Sequence, residues 1–269
     1  MRVIILTSNK VRHKYMVNQI CKKHEVVGIF SEGKQPKRNL AERAKLGTLS
    51  GADVIASYLR EFEQKEQEYL LPMGGGDFSI PEGVPFFQID PDRLNRPEVI
   101  DLIAGLRPDA FAVFGTSLVK RDLLDMTPHF VNIHLGLSPY YRGVATSFWP
   151  FFNNEPEYVG VTVFHLDEGI DSGPILHQGL VDFVEGDQIH DGSVKSIITG
   201  VKLQVQALSE IEAGTEKVFE QDLNVGRTYY NKDFTAEKLL DCLSRWDDKK
   251  ISEYLNVQNS RKEKVRYIP

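Results

Sequence analysis

Short runs of apolar, often β-branched residues recur along the first half of the chain. They are RVIILT (2–7), VVGIF (26–30), VPFFQI (84–89), AFAVFG (110–115) and FVNIHLG (130–136). Runs without polar alternation are typical of strands buried on both faces. After the first run, Ser8 and Asn9 are helix-start candidates, and Val11, Tyr15 and Ile20 follow at helical spacing. This order predicts a βαβ unit that opens an α/β fold with helices flanking the sheet.

The stretch from Lys34 to Gly76 interrupts this alternation. A basic KQPKR segment precedes the charged, helix-favouring IASYLREFEQKEQEYLL, and PMGGG follows. We interpret the stretch as a solvated surface helix and a loop. Three glycines without the rest of a phosphate-binding pattern are a weak signal. Farther on, RPEVIDLIAGLRPD predicts another helix.

The second half of the chain has a different pattern. A short helical segment, SFWPFFNN, precedes YVGVTVFHLD and GPILHQGLVDF, which predict two antiparallel strands. Apolar residues at helical spacing predict a long helix from Asp191 that ends at Gly214. GRTYY then predicts a strand, and helices follow near Thr235 and at DKKISEYL. We therefore expect a catalytic domain over 1–185, and a long helix with a small mixed α/β appendage over 186–269.

Composition and charge narrow the class of protein. The 269 residues are 41% hydrophobic and 26% charged, as in ordinary globular proteins, and the net charge of −6 argues against nucleic acid as a partner. Cys21 and Cys242 have no cysteine or histidine at metal spacing, so we expect buried, reduced thiols. The first apolar run is too short for a signal peptide, and no run approaches the ~20 residues of a membrane span. We expect a cytoplasmic protein without a membrane anchor.

Candidate chemistry lies in NIHLGLSPYYRG (132–143) and DEGIDSG (167–173). On a strand of period two, Asn132 and His134 point to the same face, and ligands of open α/β sheets bind at the carboxyl ends of strands. The glycine-rich second segment is suited to a site loop that brings Asp171. An amide, an imidazole and a carboxylate suit acyl transfer to an amine, which needs oxyanion donors and a proton acceptor.

Neither segment is specific alone, since Asn-X-His at a strand end is more often a turn with a satisfied histidine. Together they resemble the 10-formyltetrahydrofolate-dependent formyltransferases that act on glycinamide ribonucleotide, methionyl-tRNA or sugar nucleotides. That family has roughly N-x-H-x-S-L-L-P-x-Y-R-G and then D-x-G-x-D-x-G. The matching residues here are Asn132, His134, Pro139, Tyr141, Arg142 and Gly143, and then Asp167, Gly169, Asp171 and Gly173.

The resemblance spans about Arg2 to Phe183 and implies a Rossmann-like, mostly parallel sheet that binds 10-formyltetrahydrofolate. The chemistry of the amide, the imidazole and the carboxylate requires no metal. The resemblance assigns the catalytic roles to Asn132, His134 and Asp171. It also implies that two loops line the folate pocket, through Ser117, Leu118, Lys120, Asp167, Gly169 and Ile170.

Two departures from the family pattern bear on the acceptor. Gly136 and Ser138 replace the usual serine and second leucine, so we expect catalysis to survive and the acceptor geometry to differ. The glycine-rich loop of glycinamide ribonucleotide formyltransferases is replaced after the first strand by SNKVRHK. This replacement disfavours the purine-pathway substrate.

The acceptor is otherwise open. Arg12, His13, Tyr141 and Arg142 are candidates to bind it, each with a structural role as the alternative. About fifty-five residues follow Gly214, too few for the β-barrel of methionyl-tRNA formyltransferases. We therefore expect a small amine acceptor, a nucleotide-linked amino sugar first. Methionyl-tRNA formylation and a non-catalytic folate-binding module are the alternatives.

The remaining expectations concern packing and assembly. The aromatic cluster around Trp149 is either a stacking wall for a sugar or base or, more commonly, part of the core. The C-terminal helices could supply the interface of a homodimer.

Overall fold

A seven-stranded sheet forms the centre of the protein, for which a computed structural model describes residues 1–33 and 49–269. Its strands are β1 (Arg2–Thr7), β2 (Glu25–Glu32), β3 (Phe86–Ile89), β4 (Ala110–Val113), β5 (Phe130–His134), β7 (Gly160–His165) and β8 (Ile175–Leu180). The order is β3-β2-β1-β4-β5-β7-β8. The first five strands in this order are parallel, and β7 and β8 continue the sheet antiparallel. The predicted α/β class and the antiparallel pair are confirmed.

The order of the strands in the sheet changes direction between β1 and β4, which makes this position a topological switch point. The chain runs outward through β2 and β3, then returns to β4 on the other side of β1. Loops leaving the carboxyl ends of β1 and β4 therefore diverge and leave a crevice, where open α/β sheets bind ligands. β5 lies next to β4, so its carboxyl end opens on the same edge.

Helices cover both faces of the sheet. On one face, α1 (Val11–Cys21) and the long α6 (Ile189–Ala213) pack against β1, β4, β5 and β7. A β-carbon on Gly200 of α6 would lie 2.9 Å from Ile133 Cγ2, so the glycine lets the helix press directly on β5. On the other face lie α3 (Pro97–Gly105) and α4 (Arg121–Leu124).

A second, aromatic core lies beside the sheet. It contains α2 (Leu49–Leu70), α5 (Trp149–Phe152), α7 (Ala236–Arg245) and α8 (Asp248–Leu255), with α9 (Gln258–Lys262) and a 3₁₀ turn (Pro156–Tyr158) alongside. The short strands β6 (Tyr141–Gly143) and β9 (Arg227–Tyr229) form a separate parallel pair. Phe148, Trp149 and Phe151 are each 1% exposed, so these rings are core.

Most predicted elements are present, with two corrections. The first helix begins at Val11, with Lys10 as its N-cap rather than Ser8 or Asn9. α2 is more than a solvated surface helix, because Glu66 and Leu70 are 1% and 0% exposed. The basic KQPKR segment lies outside the described residues. The long helix assigned to the second region packs into the core of the first, and the domain division at 185/186 stays a prediction.

The structure also bears on the cysteines and on membrane insertion. Cys21 and Cys242 are both free, and burial raises the pKa of the Cys242 thiol to about 12. Within residues 1–33 and 49–269, every helix is too short or too polar to cross a membrane.

Candidate active site

His134 closes β5 and lies between two acceptors. Its Nδ1 is 3.3 Å from Asp171 Oδ2, and its Nε2 is 2.9 Å from the carbonyl oxygen of Tyr141. The side chain is 7% exposed. A neutral imidazole has one N–H, so both contacts are hydrogen bonds only when the ring is doubly protonated. Contacts at both ring nitrogens therefore fix the orientation of the His134 ring.

Asn132 lies two residues earlier on the same strand and is half-buried. Strand periodicity places its amide on the same face as His134. β5 is held on both sides, by β4 in parallel and by β7 in antiparallel register. The strand pairing on both sides fixes the spacing between the amide and the imidazole.

Asp171 lies in a turn whose backbone is unusual. Its φ is +49°, in the left-handed region that disfavours residues with a β-carbon. Its Oδ2 also accepts the backbone N–H of Gly143 at 2.8 Å. The Asp171 carboxylate thus contacts both the His134 ring and the backbone of β6.

The rest of the turn is fixed by close approaches. Asp167 accepts the backbone N–H of Gly169 at 3.0 Å and the Ser172 hydroxyl at 2.9 Å. A β-carbon on Gly173 would lie 1.8 Å from the His165 carbonyl oxygen. Glycine is required at 173 because a β-carbon would clash with backbone atoms, which cannot move aside as the end of a flexible side chain can.

The loop from Gly136 to Tyr141 is held by groups that the sequence did not single out. Thr162 accepts the backbone N–H of Ser138 at 2.9 Å and donates to the Gly136 carbonyl at 2.7 Å. Gln178 donates to the Ser138 carbonyl at 2.5 Å. Thr162 is opposite His134 in the antiparallel pair. That register is a tertiary feature, so no local sequence signal could have identified these residues.

The first of the two predicted folate loops borders a surface cavity. A cavity of about 470 Å³ is lined by Ser117, Leu118 and Lys120, together with Asp92, Asn95 and Arg96. Glu32, which is 2% exposed, accepts both the backbone N–H and the hydroxyl of Ser117, at 2.6 and 2.9 Å. This buried carboxylate at the end of β2 fixes the start of the loop.

The second predicted folate loop lies beside the first. Arg121 Nη1 is 3.6 Å from Glu168 Oε2 and so links α4 to the Asp167–Asp171 turn. Leu118 and Ile170 are 63% and 47% exposed. Apolar side chains this exposed are suited to cover a flat ring. Asp167, Gly169 and Ile170 are not among the residues that line the 470 Å³ cavity.

The four candidate acceptor residues all have packing roles. Arg12 is hydrogen-bonded to the buried Glu66 carboxylate. His13 is 1% exposed, lies edge-on to Phe114 and accepts the Lys10 backbone N–H at 3.2 Å.

The other two candidates lie on β6. Tyr141 donates its hydroxyl to Glu155, and burial raises the pKa of this phenol. Arg142 is 9% exposed, and its Nη2 is 3.3 Å from the Leu223 carbonyl. Within the described parts of the chain, Arg142 has no carboxylate partner, unlike Arg12.

No group of three or more His, Cys, Asp or Glu side chains among residues 1–33 and 49–269 is arranged to hold a metal ion. At the end of β5 and in the Asp171 turn, the candidate residues offer an amide, an imidazole and a carboxylate.

The mostly parallel α/β fold is also what comparison with known proteins gives. Residues 1–196 match the formyl transferase family. The chain belongs to the formyl transferase family.

Curated relatives are similar over part of their length. The methionyl-tRNA formyltransferase of Kosmotoga olearia is 29% identical over 224 residues, which are 82% of this chain and 62% of that protein. The methionyl-tRNA formyltransferase of Anaeromyxobacter sp. (strain K) is 34% identical over 142 residues, or 52% and 45% of the two chains. This chain thus spans less than two-thirds of the length of these relatives.

Solved structures show the same fold at low sequence identity. A sugar N-formyltransferase from a Shewanella species superposes with a TM-score of 0.56 at 18% identity, over 87% of this chain and 78% of that one. A 4-N formyltransferase from Francisella tularensis gives 0.55 at 18%, over 86% and 77%. Glycinamide ribonucleotide transformylase 1 from Symbiobacterium toebii gives 0.54 at 17%, over 82% and 94%.

Proposed function

We propose that this protein transfers the formyl group of 10-formyltetrahydrofolate to the primary amine of a nucleotide-linked amino sugar. The observation that carries the proposal is the 3.3 Å contact between His134 Nδ1 and Asp171 Oδ2, beside Asn132, in a chain of the formyl transferase family. Asn132, His134 and Asp171 are the proposed catalytic residues.

The chemistry follows from these three groups. The amine nitrogen attacks the formyl carbon and forms the new C–N bond, and the carbonyl oxygen becomes an oxyanion. The Asn132 amide is a donor suited to that oxyanion, and the His134 ring supplies a second donor when the substrate oxygen takes the place of the Tyr141 carbonyl at Nε2. The proton lost by the amine passes to the Asp171 carboxylate, directly or through water. The bond from the formyl carbon to N10 then breaks, and N10 takes up a proton.

The donor is proposed to lie along the two linked loops. Ser117, Leu118 and Lys120 would contact it from one side, and Asp167, Gly169 and Ile170 from the other. The exposed Leu118 and Ile170 side chains support this placement, because a pterin ring offers two flat apolar faces to cover.

The sugar-nucleotide acceptor has three supports. Sugar N-formyltransferases are among the solved structures with this fold, and one of them, from Helicobacter canadensis, is described as a complex with folinic acid and dTDP-3-aminofucose. The buried Arg142, with no carboxylate partner in the described residues, is suited to an anionic group such as a phosphate. The negative net charge does not favour a tRNA acceptor.

Methionyl-tRNA formylation is the second candidate. The observation that favours it is the name shared by the curated relatives, up to 34% identical over part of the chain. In this case charged initiator tRNA would be the acceptor, and a positively charged surface would have to contact it.

The test is formyl transfer from 10-formyltetrahydrofolate to a panel of amines. The panel contains nucleotide-linked 3-amino and 4-amino sugars, glycinamide ribonucleotide and charged initiator tRNA, with His134→Ala protein as the control. Transfer to an amino-sugar nucleotide by the wild type supports the proposal, and transfer to tRNA alone replaces it with the second candidate. Folate binding without transfer to any amine would support the non-catalytic module and overturn the proposal.

A further inference from the structure

The turn that carries Asp171 is contacted by a side chain from outside the region matched to the family. Nε2 of Gln221 lies 3.1 Å from the Asp171 carbonyl oxygen and 2.6 Å from the Gly173 carbonyl oxygen. The family match ends at residue 196. Gln221 therefore supplies a contact to the candidate site from a segment that the family resemblance does not describe.

Gln221 is itself fixed to the sheet. Two residues earlier, Phe219 and Ile175 exchange backbone hydrogen bonds of 2.9 and 2.8 Å, which form an antiparallel bridge to the start of β8. The amide of Gln221 is thus presented by rigid backbone, as a group that holds a turn in place must be.

The same segment also contacts the other side of the site. The Leu223 carbonyl accepts from Arg142, and the Tyr229 carbonyl accepts the backbone N–H of Val144 at 2.9 Å. β9 pairs with β6, whose Gly143 N–H donates to Asp171. Residues 219–229, which we call the clamp segment, therefore contact both the Asp171 turn and the strand that faces it.

Asp171 needs such support because its backbone is in a disfavoured conformation. A residue with a β-carbon at a φ of +49° persists when its surroundings determine the conformation. The two carbonyls that Gln221 contacts belong to Asp171 itself and to Gly173, which meets the His165 carbonyl so closely that the turn cannot shift on that side. Loss of the Gln221 donor would free the turn toward the clamp segment.

We propose that Gln221 is a positioning residue, which holds the Asp171 turn so that the carboxylate faces the His134 ring. The contact itself is a feature of the molecule, and its effect on turnover rests on the proposed function. Within the described residues, the side-chain hydrogen bonds of Gln221 go to backbone carbonyls, so it acts through Asp171.

The direct test measures the His134 environment without any acceptor. In protein with ¹⁵N-labelled histidine, the ring resonances of His134 are identified by their absence in His134→Gln. Asp171→Asn then defines where those resonances move when the carboxylate is lost. Gln221→Met keeps the length of the side chain but removes its donors, so the His134 resonances should move toward their Asp171→Asn positions.

The matched control is Gln258→Met. Gln258 is 8% exposed and also makes two side-chain contacts with backbone, to the N–H and carbonyl of Phe183 at 2.7 and 3.1 Å. Its substitution should lower thermal stability without moving the His134 resonances. His134 resonances that stay in place in Gln221→Met would overturn the proposal. If Gln221→Met does not fold, Gln221→Asn, which is too short to reach both carbonyls, takes its place in the same comparison.

The kinetic test separates positioning from folding. Gln221→Met should lower kcat by about 10- to 100-fold, with the KM for folate changed less than about twofold, as expected for a misplaced catalytic group. Gln221→Lys retains a donor for the two carbonyls and should recover part of kcat. An unchanged kcat with a lower Tm would show a purely structural role and overturn the proposal. A wild type that transfers no formyl group would remove the proposed function but leave the resonance result standing.

Discussion

Nε2 of His134 lies 2.9 Å from the carbonyl oxygen of Tyr141, and the absence of a side chain at Gly136 makes this contact feasible. A β-carbon on Gly136 would lie 2.5 Å from His134 Nε2 and 2.6 Å from that carbonyl oxygen. The motif of the formyltransferases usually has serine at this position. The departure noted in the sequence therefore bears directly on the orientation of the imidazole.

Gly136→Ala should displace the His134 ring and lower turnover by about 100-fold, the scale of loss for a reacting group moved by about 1 Å. The measurement is kcat with the amine identified from the panel, together with folate affinity, which should persist. Gly105→Ala is the control, because a β-carbon there meets nothing within 4 Å. Turnover within twofold of the wild type in Gly136→Ala would show that the contact is dispensable.

Arg12 gives a test between an acceptor-binding and a structural role. Its partner Glu66 is 1% exposed, so removal of the cation leaves a buried carboxylate without its ion pair. Arg12→Met should lower the free energy of unfolding by about 3 kcal/mol, measured in urea at pH 7. The double substitution Arg12→Met with Glu66→Gln should regain much of that loss.

An Arg12→Met protein of nearly unchanged stability would support the hypothesis from the sequence that Arg12 binds the acceptor. If Arg12→Met protein unfolds at nearly the wild-type urea concentration and its KM for the acceptor rises, then Arg12 binds the acceptor.

The lowered pKa of His165 predicts that the stability of the protein depends on pH. Burial, and then the neighbouring His129, lower the pKa of His165 from 6.5 to about 4. Between these two pH values the unfolded chain binds the proton and the folded chain does not, so stability is lost as the pH falls from 6.5 toward 4. His165→Gln should remove a loss on the order of 2 kcal/mol between pH 7 and pH 4.5.

Urea unfolding of both proteins at the two pH values measures this difference. An equal loss of stability in wild type and His165→Gln would show that other groups cause the acid sensitivity.

The sequence was sufficient to predict the sheet and the nearness of His134 to Asp171, whose catalytic roles stay a proposal. Continuous apolar runs indicate strands buried on both faces, and period two on β5 places Asn132 and His134 side by side. The glycine-rich turn around Asp171 was also predictable from the sequence. Its glycines are required by close backbone contacts, such as that of Gly173 with the His165 carbonyl.

The features that the sequence did not predict depend on contacts between segments that are distant in the chain. β6 pairs with β9 although more than eighty residues separate them, and neither three-residue strand has a periodicity to detect. Glu66 follows the charged pattern of a surface helix, yet it is buried because Arg12 of α1 lies against it. No sequence feature distinguishes Gln221 from other polar residues, because its role depends on the turn that it contacts in the folded protein.

The central claim is that Asp171 and His134 act together in formyl transfer, and one pair of measurements on Asp171→Asn tests it most directly. The rate of formyl transfer from 10-formyltetrahydrofolate to the accepted amine should fall by at least about 100-fold, since the proton acceptor is gone. The Kd for the folate, measured on the same samples, should stay within about threefold of the wild type, because the proposed folate contacts lie in other residues of the two loops. A transfer rate close to that of the wild type, with folate still bound, would contradict the account.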